Sequence, residues 1–455
     1  MKRTITILLL FITLQMSAQC WQSISAGEYH SLAIKDDGTL WAWGRNDLYQ
    51  LGDGTEVKKN IPTQIGTANN WVKVHAGFAS SFGIKADGTL WGWGHNSGSK
   101  LGYGSGTYTI PTPTQIGTNT NWLSVSDGWS HTIALKTDGT LWAWGLNENG
   151  QLGDNTTVNK ITPTQIGTAT WQSIAAGTQH SLAIKTDGTL WFWGSRFTLY
   201  GTTYSQNNIP TQIGTATNWL KLATNQWHLA AIKTDGTLWT MGENSSGQLG
   251  DGTTISRTTP IQVGTATDWR DVSVGNRYTI ATKNNLSFWS WGYNYGGQLG
   301  NGTSGNTTAV HTPTQVGSSL DSNEISTGGY HVLVKNTDGF IRVTGSNFLG
   351  QLGDGTNVDK NTFTYISCYP STLSNEDFAF NQLKVYPNPA RDILNFSFDK
   401  EITTVSIYNL LGQEVATKNM NTNQDSIDIS HLTSGTYLVK VISGVELKTL
   451  KIVKE

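Results

Sequence analysis

The chain has 455 residues, with 30 Lys and Arg against 32 Asp and Glu and a formal net charge of −2. That length allows one to three domains, and the absence of a basic stripe argues against a nucleic-acid footprint. All 19 tryptophans lie between Trp21 and Trp291, which marks them as structural core first and ligand contacts second. No long apolar run follows residue 20, so no membrane span is expected in the mature chain.

Residues 1–19 read as a secretory signal peptide. Lys2 and Arg3 supply the charged start, Ile5 to Leu14 is apolar apart from Thr6 and Thr13, and Ser17-Ala18 gives small residues near a cut. Cleavage is expected close to Ala18, although Met16 meets the small-residue rule only in part. The competing reading makes Cys20 an acylated lipoprotein residue, and Gln19 directly before it is a poor fit.

One phrase then organises residues 20–368. It reads KDDGTLWAWG from Lys35, KADGTLWGWG from Lys85, KTDGTLWAWG from Lys136, KTDGTLWFWG from Lys185 and KTDGTLWTMG from Lys233. Worn copies follow as KNNLSFWSWG from Lys283 and NTDGFIRVTG from Asn336. The central position falls at Gly38, Gly88, Gly139, Gly188, Gly236, Leu286 and Gly339, in steps of 48 to 53 residues. Seven copies at one period near 50 predict a repeat array.

Within one copy, WQSIAAG from Trp171 alternates, HSLAIK is a short apolar strand, and Asp187-Gly188 is a hairpin turn whose glycine accepts a positive φ. LWFWG is a third strand, and PTQIG from Pro210 a fourth with proline at its start. Four antiparallel strands per unit describe a propeller blade, and closing the ring buries the faces that one blade cannot bury alone. The words GxxHSLAIKxDGTLWxWGxNxxGQLGDGT and PTQIG closely resemble the regulator of chromosome condensation repeat family. That resemblance covers residues 21 to 367 and implies an all-β, seven-bladed β-propeller.

Strands one and three run towards the Gly-x-x-His loop and the long loop after Trp-Gly, so these two variable loops share one face. That face is the candidate binding surface. Its aromatic candidates are Tyr29, Phe78, Trp129, Trp227, Tyr278 and Tyr330 after strand one, and Tyr49, Phe197 and Tyr293 in the long loops. Tyr103, Tyr108, Tyr295 and Phe348 belong to the same loops. Large rings with few rotamers suit a protein or glycan contact, and they equally suit capping of their own blades. The fourth repeat departs most, with SRFTLYGTTYSQNN from Ser195, and the sixth inserts SGNTTAVH from Ser304.

His30, His131, His180, His228 and His331 share one repeat position and are read as hydrogen-bonding residues within their blades rather than a metal ring. Asp53, Asp154, Asp251 and Asp354 are read as turn formers, since a calcium loop's acidic spacing is absent. The lysine before each Asp-Gly is read as a solvated hairpin residue. No GxSxG, HExxH, P-loop or zinc-ligand spacing occurs, so neither an enzyme nor a metal or cofactor is expected.

Cys20 directly precedes strand one of the first repeat, and Cys368 directly follows strand four of the last. Elsewhere that junction is a continuous link, so ring closure brings the two together, and export permits oxidation. The expectation is a Cys20–Cys368 disulfide stabilising by about 5 kcal/mol on the loop-entropy model, against the alternative of two separate thiols.

Residues 369–382, YPSTLSNEDFAFNQ, read as a linker. Residues 383–455 then carry short alternating strands at sandwich spacing, with VYPNPA, IYNLLGQEV, LTSGTYLVKV and a terminal KIVKE. These words closely resemble the type A C-terminal sorting domain of the type IX secretion system. The resemblance implies a small immunoglobulin-like β-sandwich, engagement of the type IX translocon and sorting peptidase, and delivery outside the outer membrane of a Gram-negative Bacteroidetes-type bacterium.

The function expected is therefore binding of an extracellular protein or glycan by a secreted or surface-held propeller, acting as a monomer. Inhibition of an extracellular enzyme is the first alternative. Guanine nucleotide exchange, which the repeat family's founding member performs, fits an exported chain less well.

Overall fold

The computed structural model describes residues 21–104, 106–195, 206–317, 321–366, 383–409, 413–443 and 446–455, in two compact units that divide after residue 368. The first blade shows how the repeat folds. Strands β1 (Trp21–Ala26), β2 (His30–Lys35), β3 (Leu40–Gly44) and β4 (Lys59–Gln64) form one antiparallel sheet in that order, with β1 innermost. Six further blades repeat the order, and blades three and four share the unbroken strand Lys160–Ala176.

The recurrent phrase is a relay of side chains. In blade one the Asp37 carboxylate accepts from the backbone N–H and hydroxyl of Thr39, and Thr39 in turn accepts from the Trp41 indole at 2.8 Å. The same chain recurs as Asp187, Thr189 and Trp191, and in the worn sixth copy as Asn285, Ser287 and Trp289. Gly38 sits at φ +77°, a left-handed conformation that favours glycine. Leu286 adopts the same left-handed conformation at φ +64° in the sixth copy.

Two expectations about blade-internal residues change. The lysine before each turn is not a solvated hairpin residue. Lys35 is buried with its ammonium 3.8 Å from the centre of the Trp41 ring and 5.3 Å from Trp21. Lys85, Lys136, Lys185, Lys233 and Lys283 repeat this clamp between the tryptophans of strands one and three, because an ammonium over an indole face keeps an electrostatic partner when partly desolvated. The fourth strand also begins before its proline: Pro62 lies inside β4, on the outer edge, where a missing N–H breaks no ladder bond.

The cores lie between blades. Seven apolar clusters each join one blade to the next, and the cluster of Trp21, Ile24, Trp43, Leu333, Ile341 and Ile366 joins blade seven to blade one. Polar bonds repeat at the same joints. The Trp93 indole of blade two donates to the Gln50 carbonyl of blade one at 3.0 Å, and Trp43 of blade one donates to the Gln351 carbonyl of blade seven at 2.9 Å. Trp21 N–H bonds Gly339 O at 3.1 Å just as Trp71 N–H bonds Gly38 O. The last blade therefore meets the first through the joint used everywhere else, and the ring is closed.

The histidines belong to these joints rather than to their own blades. His30 Nε2 meets Ser81 Oγ at 2.8 Å, His131 meets Ser181, His228 meets Thr279, and His331 meets Ser31 across the seam. Burial holds His131 neutral down to about pH 4 and the other four down to about 3.

The second unit is a small antiparallel β unit of immunoglobulin-like type. Its long strand Ile393–Tyr408 pairs with Lys384–Tyr386 and Glu414–Asp428, and through its second half with Gly435–Ser443, which pairs Glu446–Lys454. Alternate residues Leu394, Phe396, Phe398, Val405 and Ile407 enter one core with Ile427, Val439, Val441 and Ile452.

Candidate functional site

The inner strands converge on the propeller axis, and their ends bound a cavity of about 310 Å³. Glycine makes the convergence possible: a Cβ at Gly27 would lie 2.5 Å from the Gly77 carbonyl of the next blade. Directly after this glycine position, each blade places one residue around the mouth. In blade order they are Glu28, Phe78, Trp129, Thr178, Gln226, Asn276 and Gly329. The following position, further out, holds Tyr29, Ala79, Ser130, Gln179, Trp227, Arg277 and Tyr330.

Most of the aromatic candidates meet on this face. Phe78 and Trp129 stack across the joint of blades two and three at 4.9 Å, and Trp129 is 46% exposed. Tyr29 stacks on Tyr330 at 6.0 Å and meets Phe348 edge-on, while Tyr293 touches both Tyr330 and Tyr295. Trp227 carries the Arg277 guanidinium over its ring at 4.9 Å. Tyr49 is half-buried in its loop at φ +60°, where Glu56 accepts its hydroxyl and raises its pKa. Phe197 lies outside the described residues, as do Cys20 and Cys368.

Tyr278 is not on this face. It stands in the histidine position of blade six, is fully buried, and donates its hydroxyl to the Gly328 and His331 carbonyls of blade seven. Its neighbour Arg277 takes the loop place instead, so counting from the glycine rather than looking for a ring separates the two. Tyr103 also turns inward, its hydroxyl bonding the Gly92 and Thr114 carbonyls in the space that Gly92 leaves free. The four loop aspartates are turn residues with basic partners: Asp53 accepts from Asn46 and Thr55 and faces Lys59, and Asp251 faces Arg257 at 2.6 Å.

Two charged groups at the axis were not anticipated from the repeat words. Glu28 reaches across Gly329 of blade seven to accept from the Asn276 amide of blade six at 2.9 Å. Burial pushes its carboxyl up to about 7, eased by the Asn276 bond and the Arg45 charge. Lower down, Asp127 stands where the other blades have alanine, threonine or valine, Lys100 where Gln50, Gln151, Gln248, Gln298 and Gln351 stand, and Ser80 where the others have histidine or Tyr278. Lys100 Nζ lies 3.3 Å from Asp127 with both side chains inaccessible, and Asp127 also meets His75 at 2.9 Å and accepts from Ser80. Burial alone would raise the Asp127 carboxyl, but Lys100, His75 and Ser80 outweigh it and hold the group down to about 2. Burial depresses Lys100, and Asp127 opposes that. Three coordinated departures at one joint were the available signal.

The fold and this face define a closed seven-bladed β-propeller with a loop-built axial mouth, joined to a C-terminal β unit. The chain belongs to the RCC1-like domain family, whose profile matches residues 109–379, more than half of its length. Regulator of chromosome condensation (RCC1) repeats match at 21–50 and 37–84, and a secretion system C-terminal sorting domain at 384–455. The ultraviolet-B receptor UVR8 of Arabidopsis thaliana is 29% identical over 146 residues, which is 31% of this chain and 33% of that protein. Protein pim1 of Schizosaccharomyces pombe is 28% identical over 29% of this chain and 18% of its own length. The chain thus spans a third or less of these relatives. Among solved structures, human WBSCR16 superposes with a TM-score of 0.64 at 21% identity, covering 72% of this chain and 94% of that one. Prp20p of Saccharomyces cerevisiae gives 0.60 at 21% identity, over 68% and 80%. These likenesses bear on the fold. The sorting domain implies delivery outside the cell by a type IX system.

Proposed function

We propose that this exported propeller binds an extracellular protein or glycan through the face around its axial mouth, without catalysis. The observation that carries the reading is the gathering of Tyr29, Phe78, Trp129, Trp227, Tyr293 and Tyr330, from six of the seven blades and from loops that vary between repeats, on the face around the axial mouth, where Phe78 and Trp129 line the cavity. Inhibition of an extracellular enzyme would use the same face; among the described residues none favours guanine nucleotide exchange. The mature protein works as a monomer, anchored or released after the sorting peptidase removes residues 383–455.

The test is a pull-down and glycan array with the purified full chain, followed by Trp129→Ala with Trp227→Ala. Affinity for the captured ligand should fall at least tenfold while thermal unfolding stays unchanged. Unaltered affinity would move the site off this face. The same proposal includes a Cys20–Cys368 clasp, supported by Trp21 and Ile366 sharing one apolar cluster. Non-reducing peptide mapping should recover the two cysteines joined; two free thiols would remove the clasp.

A further inference from the structure

We propose that the axial mouth is a receptor for one cationic side chain, lysine or arginine, presented by the partner protein. This rests on the assignment of the ligand to this face and names what the centre of that face recognises. The seven residues nearest the axis comprise one carboxylate, Glu28, two aromatic rings, Phe78 and Trp129, and no cation. Glu28 and the Phe78–Trp129 stack stand in successive blades, so a carboxylate and an indole face border one opening.

The charges nearby are already matched, except at Glu28. Arg45 is held by Asp47 through two bonds of 2.6 and 2.7 Å, and Arg277 lies over Trp227 and 3.8 Å from Glu243. Asp127 has Lys100 and His75. Among the described residues Glu28 has one neutral side-chain donor, Asn276, and no ion pair. Its titration is raised to about 7 because burial outweighs both the Asn276 bond and the charge of Arg45. Gly329 keeps the position open, since a Cβ there would lie 2.6 Å from the Glu28 carboxyl carbon. A guanidinium or ammonium entering the mouth supplies the missing charge and lies against aromatic faces. A partner's side chain fits better than a free amine because the exposed rings of Trp129, Tyr295 and Phe348 extend the contact beyond the opening.

Calorimetry of the full chain with capped Gly-Gly-Arg-Gly-Gly, its lysine counterpart and its neutral citrulline counterpart reads this directly. The two cationic peptides should bind at least tenfold more tightly than citrulline at pH 8. Because the Glu28 carboxylate supplies the opposing charge and is protonated at the lower pH, that preference should fall about tenfold or more at pH 5.5. The other ionisable groups facing Glu28 are Arg45, Tyr29 and Tyr330, with His75, Asp127 and Lys100 lower in the cavity. Glu28→Gln should abolish both the preference and its pH dependence, whereas His75→Gln should keep the pH dependence. The pH comparison on the unaltered chain needs no variant, so a poorly folding Glu28→Gln leaves the test intact. Equal binding of the citrulline peptide, a preference that survives Glu28→Gln, or pH dependence lost in His75→Gln would overturn the proposal. Agmatine binding as tightly as the arginine peptide would overturn the partner side chain in favour of a free amine. If Trp129→Ala with Trp227→Ala weakens the captured ligand but Glu28→Gln does not, the face reading stands and the cation site falls.

Discussion

At the scale of residues, the molecule is governed by groups whose charge is set by burial. The joint between blades two and three carries Lys100 and Asp127 at zero side-chain exposure, where the other joints carry a neutral histidine or tyrosine. Asp127→Asn leaves Lys100 charged and unmatched, and should cost about 3–5 kcal/mol in urea unfolding. Adding Lys100→Met to it should recover much of that loss, because the apolar replacement no longer needs a partner. A double variant no more stable than Asp127→Asn would mean the pair does not interact. The histidines predict a pH response of definite sign. All five have folded pKa values of about 3 or 4, below the ordinary 6.5, so above 6.5 they cost nothing. Between 6.5 and those values only the unfolded chain takes up protons. Stability should therefore fall on acidification, by up to about 1.4 kcal/mol per histidine per pH unit. Glu28 works the other way, with a folded value near 7 against 4.5, but it is one group against five. Chemical denaturation at pH 7.5, 6 and 5 checks the slope, and a flat profile contradicts it.

At the scale of elements, the hairpin turn is where the sequence was easiest to interpret. Asp-Gly-Thr-Leu-Trp announces a tight turn followed by a strand, and the relay from Asp187 through Thr189 to Trp191 explains why those residue types recur together. Leu286 makes the point in reverse. It occupies the glycine position at φ +64° and still donates its N–H to Lys283 O at 2.8 Å, so the turn forms in spite of a side chain. A left-handed conformation costs an ordinary residue roughly 1–2 kcal/mol, so Leu286→Gly should stabilise by about 1 kcal/mol and raise the melting temperature. An unchanged or lowered melting temperature would show that the Leu286 side chain contributes more than its backbone loses. What repeat words do not convey is direction across a joint. His30 and the second tryptophan of strand three read as parts of one blade because periodicity reports spacing along the chain. Whether a donor finds its partner inside the sheet, as Lys35 does, or on the neighbouring sheet, as His30 and Trp93 do, depends on the closed ring.

At the scale of the whole molecule, ring closure decides everything else. Blade order, strand order and the face that carries the variable loops were all legible in the spacing of one phrase. The individual site residues were less so. Tyr278 looked like a rim aromatic and is a joint residue, while Glu28 and Asn276 looked like ordinary loop positions and meet at the axis. The Glu28–Asn276 encounter joins blades one and six across 248 residues of chain, and Tyr278 reaches 50 residues on into blade seven. A closed ring with seven like joints also unfolds differently from an open stack. The seam between blades seven and one has an apolar cluster like every other joint and the indole-to-carbonyl bond of joints one–two, two–three and five–six, so it should protect its amides from exchange as well as they do. Faster exchange at Trp43 than at Trp93 or Trp144 would mean that the seam opens independently.

The central claim, that the mature propeller is delivered outside the cell and meets its ligand around the axial mouth, is tested most directly by site-specific photo-crosslinking on living cells that carry a type IX system. A crosslinker replacing Trp129 on the mouth face should capture a discrete extracellular partner, while one replacing Thr186 beside the opposite hairpin turn should capture none. Capture from position 186 alone, or an intracellular protein retained with its 383–455 tail intact, would contradict the account.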